Sequence, residues 1–327
     1  MKAWRLAELG EPATVLRLEE VEEPRPGRGQ LVVRVLGAAA NFPDVLMCRG
    51  LYQVRPDLPF TPGVELCGEV VAIGDGVTRF ALGDRVLGTA VIPHGGFAEF
   101  ALMDQATTFA APDALDDAQA ASLHIGYQTG WFALHRRTQL RAGETLLVHA
   151  AAGGVGSAAV QLGKAAGAQV IGVVGGPAKA EFARSLGADV VVDRHSEDFV
   201  AVVKEVTGGL GADVIYDPVG GDTYNRSTKC IAFEGRILVI GFAGGTIQSA
   251  ALNHALVKNY SIVGVHWGLY NRFDAVAVRT CHDELTRLAA EGLVDPQVSE
   301  RLSLAQAAEG LQRLADGKTV GRVVCIP

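Results

Sequence analysis

The chain has no long basic run, no paired cysteines and no segment that reads cleanly as a membrane span. Each gap removes a class of function. Lys and Arg total 29 against 36 Asp and Glu, a formal net charge of −7, whereas proteins that grip nucleic acid cluster their cations along the phosphates. Nucleic acid is therefore not expected as a partner, although a basic pocket for one phosphate is still allowed. The five cysteines, Cys48, Cys67, Cys230, Cys281 and Cys325, are scattered and form no C-x-x-C pair. A disulfide framework is not expected, and a reducing, cytoplasmic compartment is. Residues 1–11 mix charges into their apolar positions and lack the apolar core of a secretion signal. Residues 145–163 contain no Asp, Glu, Lys or Arg and are about long enough for a bilayer. Their glycine cluster and change of period point instead to a strand, a turn and a helix.

What is present reads as globular. Hydrophobic residues make up 49% and charged residues 20% of 327 positions, enough chain for two domains at roughly 150 residues each. The 40 glycines suit the many tight turns of an alternating strand–helix fold. Up to about residue 120 the chain is β-rich. Apolar runs at 31–36 and 69–73 are bounded by turn residues, and Pro24, Pro26, Pro43, Pro56, Pro59, Pro62 and Pro93 leave little room for long helices. Residues 118–134 support a helix with Gly126 and Gly130 as weak points. From residue 145 a regular alternation begins, with strands at 145–149, 170–174, 190–192, 214–216, 237–240 and 262–265 separated by helical stretches. Six strands in such an alternation imply a doubly wound parallel sheet covered on both faces. The tail carries an amphipathic helix at 273–292, a second helix at 302–314 and a final strand at 322–326. The organisation expected is α/β: a Rossmann-type unit at 121–265 inserted into a β-rich domain built from 1–120 and 266–327.

The strongest local signal is His149-Ala150-Ala151-Ala152-Gly153-Gly154-Val155-Gly156. It follows a strand and opens a helix, the context that a dinucleotide-binding turn requires. The glycine fingerprint takes the form Ala151-x-Gly153-x-x-Gly156. Gly153 lets the backbone approach a pyrophosphate and Gly156 lets the helix pack on the strand. The helix N-terminus then offers free N–H groups and a partial positive charge to the phosphates, with Gly153, Gly154, Val155 and Gly156 as candidate cofactor residues. At the end of the second strand an NAD site carries an acid for the ribose hydroxyls. Here Val174 is followed by Gly175, Gly176, Pro177, Ala178 and Lys179, with no acid before Glu181. Gly176, Lys179 and Arg194 are candidates for a 2′-phosphate, the alternative for each charge being a solvated surface. NADP(H) is expected over NAD(H). Ligands lie beyond the carboxyl ends of parallel strands, which adds Val219, Gly241, Phe242, Ala243, Val265, His266 and Trp267 to the candidate cofactor residues. His124, His149 and the cysteines read as structural.

Several motifs together resemble one family. They are Asn41-Phe42-Pro43-Asp44 with Arg49-Gly50-Leu51-Tyr52, then Pro62-Gly63-Val64-Glu65, Gly83-Asp84-Arg85-Val86, the Ala-Ala-Gly-Gly-Val-Gly loop, and Asp217-Pro218-Val219-Gly220-Gly221. In this order they resemble the zinc-free quinone oxidoreductases, zeta-crystallin-like members of the medium-chain dehydrogenase/reductase superfamily, across essentially the whole chain. The resemblance implies a GroES-like catalytic domain around a six-stranded NADPH-binding sheet. It also implies the absence of zinc. Where zinc relatives have a Gly-His-Glu histidine and an earlier cysteine, this chain has Val64 and Asn41, and residues 90–110 contain no cysteine. Without a metal, hydrogen-bond donors must polarise the acceptor. The resemblance puts Asn41, Tyr52 and Thr129 around nicotinamide and acceptor, with Asp44 as an orienting partner and Arg322 near the cofactor. Asn41 has the alternative of stabilising the turn before Pro43, and Tyr52 that of packing beside a cleft. Thr129 is preferred to Tyr127 as the cofactor contact.

Three activities fit this pattern: NADPH-dependent reduction of a quinone, by hydride or by single electrons; reduction of a C=C bond conjugated to a carbonyl or thioester; and NADPH binding without turnover. The resemblance further implies a homodimer, joined through the last strand of the parallel sheet at 261–265, whose apolar edge needs cover.

Overall fold

The computed structural model describes Met1–Pro327. The chain folds as two compact units, Met1–Ile125 with Asp295–Pro327, and Gly126–Val294.

The first unit begins with β1 (Lys2–Leu6) and β2 (Leu16–Glu20), an antiparallel pair joined through the one-turn helix α1 (Pro12–Val15). β3 (Gln30–Ala39), α2 (Phe42–Cys48), β4 (Glu65–Ile73), β5 (Arg85–Ala90) and β6 (Phe100–Ala110) follow. β3 organises this part. It pairs with β4 along its length, and Gln30–Arg34 also pair with β6. Strands β3 to β6 therefore close on themselves, which removes the free edges an open sheet would leave. Leu31, Val33, Leu66, Val70, Val86 and Met103 fill the interior.

The helix expected over 118–134 is three pieces. α3 (Asp117–Ala120) is capped by Asp116, whose carboxylate accepts from Gln119 N–H at 2.8 Å. α4 (His124–Trp131) runs into a π-helical turn, Phe132–Arg137. There Thr138 donates from both N–H and hydroxyl to the carbonyl of Ala133, widening the turn. Gly126 and Gly130 are not weak points. They form one face of α4 against α5 (Gly154–Ala165), where a Cβ at 126 would sit 3.3 Å from the Gly154 carbonyl oxygen and one at 130 only 2.7 Å from Leu162 Cδ1.

The second unit carries β7 (Thr145–His149), β8 (Gln169–Val174), β9 (Val190–Asp193), β10 (Ala212–Asp217), β11 (Ile231–Val239) and β12 (Ser261–Gly264). All pair in parallel, in the order β12-β11-β10-β7-β8-β9. This is the doubly wound arrangement expected. Its strand order reverses beside β7, the switch point where such sheets take their ligands. Helices α6 (Pro177–Ser185), α7 (Phe199–Val206), α8 (Asp222–Ser227) and α9 (Leu252–Lys258) make the later connections.

Two expectations about the tail need correction. The chain leaves the second unit at Val294, not at residue 265. Helices α10 (Tyr270–Phe273) and α11 (Ala275–Ala290) stay with the parallel sheet's unit. Tyr270 stacks on Phe132 at 4.2 Å, and Val278, Cys281, Leu285 and Leu288 bury one stripe of α11. The second tail helix begins at Ala307, not at 302. Residues Val298–Ser303 form β13, whose alternating burial is that of a strand, and α12 is Ala307–Ala315. β13 lies parallel to β14 (Arg322–Ile326), which pairs with Ala38 and Ala39 of β3. No helix is long and apolar enough to cross a membrane.

Candidate active site

In the first unit Asn41 and Arg322 meet on the carboxylate of Glu65, which the sequence analysis named only as part of a motif. Glu65, the first residue of β4, is fully buried. One of its oxygens accepts from Ile125 N–H at 2.6 Å. The other accepts from Asn41 Nδ2 at 2.8 Å and from Arg322 Nη2. Arg322 Nη1 donates to Asn41 Oδ1 at 3.1 Å, and the second Asn41 amide hydrogen goes to the Ala39 carbonyl, also at 3.1 Å. The charges fix the amide's orientation, oxygen to guanidinium and nitrogen to carboxylate.

This arrangement bears on two of the expected site residues. Both amide hydrogens of Asn41 are taken within the chain, so it has no free donor for an acceptor oxygen. Arg322, expected near the cofactor, is buried and spends Nη1 on Asn41 and Nη2 on Glu65. Its Nε is buried without a partner. Removing one member of such a pair leaves an uncompensated buried charge, a loss of about 3–5 kcal/mol. The signal for Glu65 was present as a lone charge opening the apolar run Glu65-Leu66-Cys67.

Asp44 gathers backbone donors beside Asn41. Its carboxylate accepts from Asn41 N–H at 3.0 Å, Gly63 N–H at 2.9 Å and Val64 N–H at 3.1 Å, which ties the start of α2 to the loop before β4. Burial pushes this carboxyl up to about 6 despite those three donors, and the nearby charge of Glu65 adds to the push. Tyr52 is half-buried against the same core. Burial, and then the charge of Asp44, raise its phenol above the ordinary value, so the hydroxyl keeps its proton.

In the second unit the glycine turn has the form the fingerprint requires. Gly153 caps α5, and Gly154, Val155 and Gly156 make its first turn, where N–H groups lack an acceptor within the helix. A Cβ at Gly156 would lie 2.1 Å from the Ala150 carbonyl oxygen, so only glycine lets the helix start this close to the strand. Tyr127 donates to Gln161 at 2.7 Å and is buried, a structural role, while Thr129 lies buried on α4. His149 is buried on Ser227 Oγ at 2.8 Å, and burial followed by the charge of Arg226 lowers it to about 3. It is structural, as expected.

At the ends of β8 and β9 the structure brings Gly175, Gly176, Lys179 and Arg194 together. A Cβ at Gly175 would fall 2.9 Å from Arg194 Nε, so the guanidinium rests on bare backbone. Lys179 is close enough to Arg194 that its ammonium is harder to charge, burial being the larger cause and Arg194 the second. Asp193, the acid at the end of β9, faces Gly176 N–H at 2.9 Å. Beyond β10 the Asp217 carboxylate accepts from Val219 and Gly220 N–H at 2.8 and 2.9 Å. Ala243 N–H donates to Pro218 O at 3.0 Å, which fastens the Gly241-Phe242-Ala243 loop to its neighbour. Val265 N–H bonds Val239 O, leading into His266 and the 3₁₀ turn that starts at Trp267. The N–H groups of Val219, Ala243 and Val265 are thus committed inside the chain.

Comparison with known proteins agrees with both halves. Residues 27–113 match the alcohol dehydrogenase GroES-like domain, and residues 154–282 match the zinc-binding dehydrogenase family. The chain is 39% identical over 319 residues to a quinone oxidoreductase-like protein 2 homolog of Nematostella vectensis, covering 97% of this chain and 86% of that protein. The chain belongs to the quinone oxidoreductase family of medium-chain dehydrogenase/reductases. A quinone oxidoreductase of Pseudomonas aeruginosa is 36% identical over 96% of each chain. The Escherichia coli quinone oxidoreductase, solved with NADPH, superposes with a TM-score of 0.92 at 30% identity over the full length of both chains. One matching family carries zinc in its description, yet no group of three or more His, Cys, Asp or Glu side chains in this quinone oxidoreductase relative is arranged to hold a metal ion.

Asp44 makes a pH prediction. Its carboxyl is harder to ionise in the folded chain than at the ordinary 3.8, so the stability tied to its proton is full below that value and is lost as pH rises through about 6. Asp44→Asn removes this dependence. In urea denaturation, the variant's deficit against the parent should shrink by about 2 kcal/mol between about pH 4 and pH 7. A deficit constant over that range means that the carboxyl ionises normally.

Proposed function

We propose that this chain is an NADPH-dependent reductase of quinones that works without a bound metal. The observation that carries the reading is the cationic cradle at the ends of β8 and β9. Arg194 lies on Gly175, Lys179 is beside it, and Asp193 is turned to a backbone N–H. A Cβ would fill the cradle, and a phosphate monoester matches its donors. The free N–H groups at the start of α5 suit a pyrophosphate. Thr129, the 241–243 loop and the 265–267 segment are assigned to the nicotinamide half. When bound, NADPH supplies the reducing equivalent. NADPH is expected to bind at least about tenfold tighter than NADH. Lys179→Ala and Arg194→Ala should each weaken NADPH and leave NADH unchanged. Fluorescence titration of the two cofactors measures this, and equal affinities in the parent would defeat the NADPH assignment.

The chemistry on the acceptor falls to Tyr52. A metal would polarise a quinone carbonyl, but Val64 and Asn41 stand where ligands would be needed. Asn41 is tied to Glu65 and Arg322, which leaves its part as holding the buried cluster in shape. The Tyr52 phenol is kept protonated by burial and by Asp44, so it can donate to the oxygen on which negative charge develops. Removing one such donor costs roughly a hundredfold in rate. Tyr52→Phe should lower kcat with a quinone by about that factor at unchanged NADPH affinity. Parent-like turnover would make Tyr52 a packing residue. The assay is run with quinones, enones and enoyl-CoA thioesters; turnover of the last two classes alone would replace quinone reduction with conjugated C=C reduction, and NADPH binding without turnover of any would make the chain a binding protein.

A second copy of the chain is the proposed partner. β12 is one of the two edges of the parallel sheet, β9 being the other, and just before β12 α9 leaves Leu252, Leu256 and Val257 at 73, 77 and 79% exposure. Such an edge beside bare apolar side chains needs cover. Light scattering at micromolar concentration should give twice the mass of one chain; the mass of a single chain rejects the dimer. The five cysteines, all free thiols and all buried, suit a reducing cytoplasm.

A further inference from the structure

We propose that His195 is a third reader of the cofactor's 2′-phosphate, aimed into the cradle by Asp193. The proposal rests on the NADPH reading above and names a residue that reading does not use.

Three observations converge on it. The first is position. The point 2.9 Å from Arg194 Nε where a Gly175 Cβ would stand is also 3.1 Å from Arg194 Nη2 and 3.2 Å from His195 Nε2. Imidazole and guanidinium therefore lie side by side over the same stretch of bare backbone. The second is orientation. His195 Nδ1 faces Asp193 Oδ1 at 3.8 Å, and that same oxygen accepts from His195 N–H at 3.0 Å and from Gly176 N–H at 2.9 Å. One carboxylate thus joins the loop after β8 to the turn after β9 and leaves Nε2 as the ring nitrogen at the cradle. The third is charge. The Arg194 guanidinium makes no direct salt bridge; it disfavours the charge on Lys179 and favours that on the Asp193 carboxylate, whose nearer oxygen is taken by two backbone N–H groups. Glu197, the other acid of this turn, is occupied by the Asp193 N–H at 3.0 Å. Like charges held together repel, and an anion between them relieves the repulsion.

The geometry fits a phosphate monoester better than a carboxylate. A phosphate offers three acceptor oxygens. The Arg194 fork serves two of them in its planar geometry, and the Lys179 ammonium and His195, donating from Nε2 as an imidazolium whose Nδ1–H faces Asp193, complete the set. The His195 side chain is 62% exposed, so its removal leaves the core untouched and the thermal midpoint of His195→Ala should match the parent's.

The test is binding of 2′,5′-ADP and of 5′-AMP, which differ only in the 2′-phosphate, measured by calorimetry on the parent, His195→Ala and Arg194→Ala. His195→Ala is expected to weaken 2′,5′-ADP by roughly fivefold to tenfold and to leave 5′-AMP unchanged. Arg194→Ala should show the same selectivity with a larger loss. If His195→Ala keeps the parent's affinity for 2′,5′-ADP, or weakens both ligands equally, His195 does not read the phosphate. If the parent itself binds the two ligands alike, the NADPH reading fails first. A parent and an Arg194→Ala variant that behave as expected beside an unaltered His195→Ala would sink the His195 assignment alone.

Discussion

The carboxylate of Glu65 has no water to solvate it, and the first unit is arranged around satisfying it. Both of its oxygens are met by the chain: one by a backbone N–H at Ile125, the other by the Asn41 amide and the Arg322 guanidinium. An unpaired buried carboxylate would be far too costly to keep. The pair therefore requires that residues from three distant stretches arrive together. Ala39 at the end of β3, Glu65 at the start of β4 and Arg322 at the start of β14 meet because β3 lies between β4 and β14. Asp44, one turn of helix away, fastens the same corner through three backbone donors. Asn41, expected as a donor to the acceptor, spends its amide on this corner.

The second unit solves its problem with space. The absence of a side chain at Gly126 and Gly130 lets α4 settle on α5, and at Gly156 it lets α5 start beside the Ala150 carbonyl. At Gly175 it lets a guanidinium and an imidazole lie on the backbone. Four glycines thus set three close approaches within the unit. The chemistry offered at the carboxyl ends of the strands follows from those approaches.

Much of this was legible in the residues. Six short apolar runs alternating with helical periods specify a parallel sheet, and Gly153 and Gly156 after β7 mark the turn that opens α5. The missing acid after Val174, with Lys179 and Arg194 nearby, marks the cationic corner. What could not be read depended on distant partners. The fate of the Asn41 amide is decided by Glu65 and Arg322, and Arg322 is 281 residues away. An amphipathic stripe such as that of α11 shows that a helix is buried on one side but not which unit buries it, so the boundary expected at 265 moved to 294. The alternation in β13 was hidden because Leu302 also fits the period of the helix that follows. His195 carries no sequence signal at all, since nothing along the chain shows that it shares Gly175 with Arg194.

The division of the first unit across the chain bears on how it is made. A ribosome releases Gly126–Val294 as one uninterrupted stretch, so the parallel sheet has all six of its strands before the host is complete. The host lacks β14, and with it the only cation for Glu65, until residue 322 has emerged. Domains fold as units during synthesis at about 5–20 residues per second, and contacts between distant residues form slowly because the intervening chain must be closed first. The inserted unit can therefore finish early and draw the two flanking segments toward each other. Its prior folding shortens the search by which Arg322 finds a carboxylate synthesised 257 residues before it.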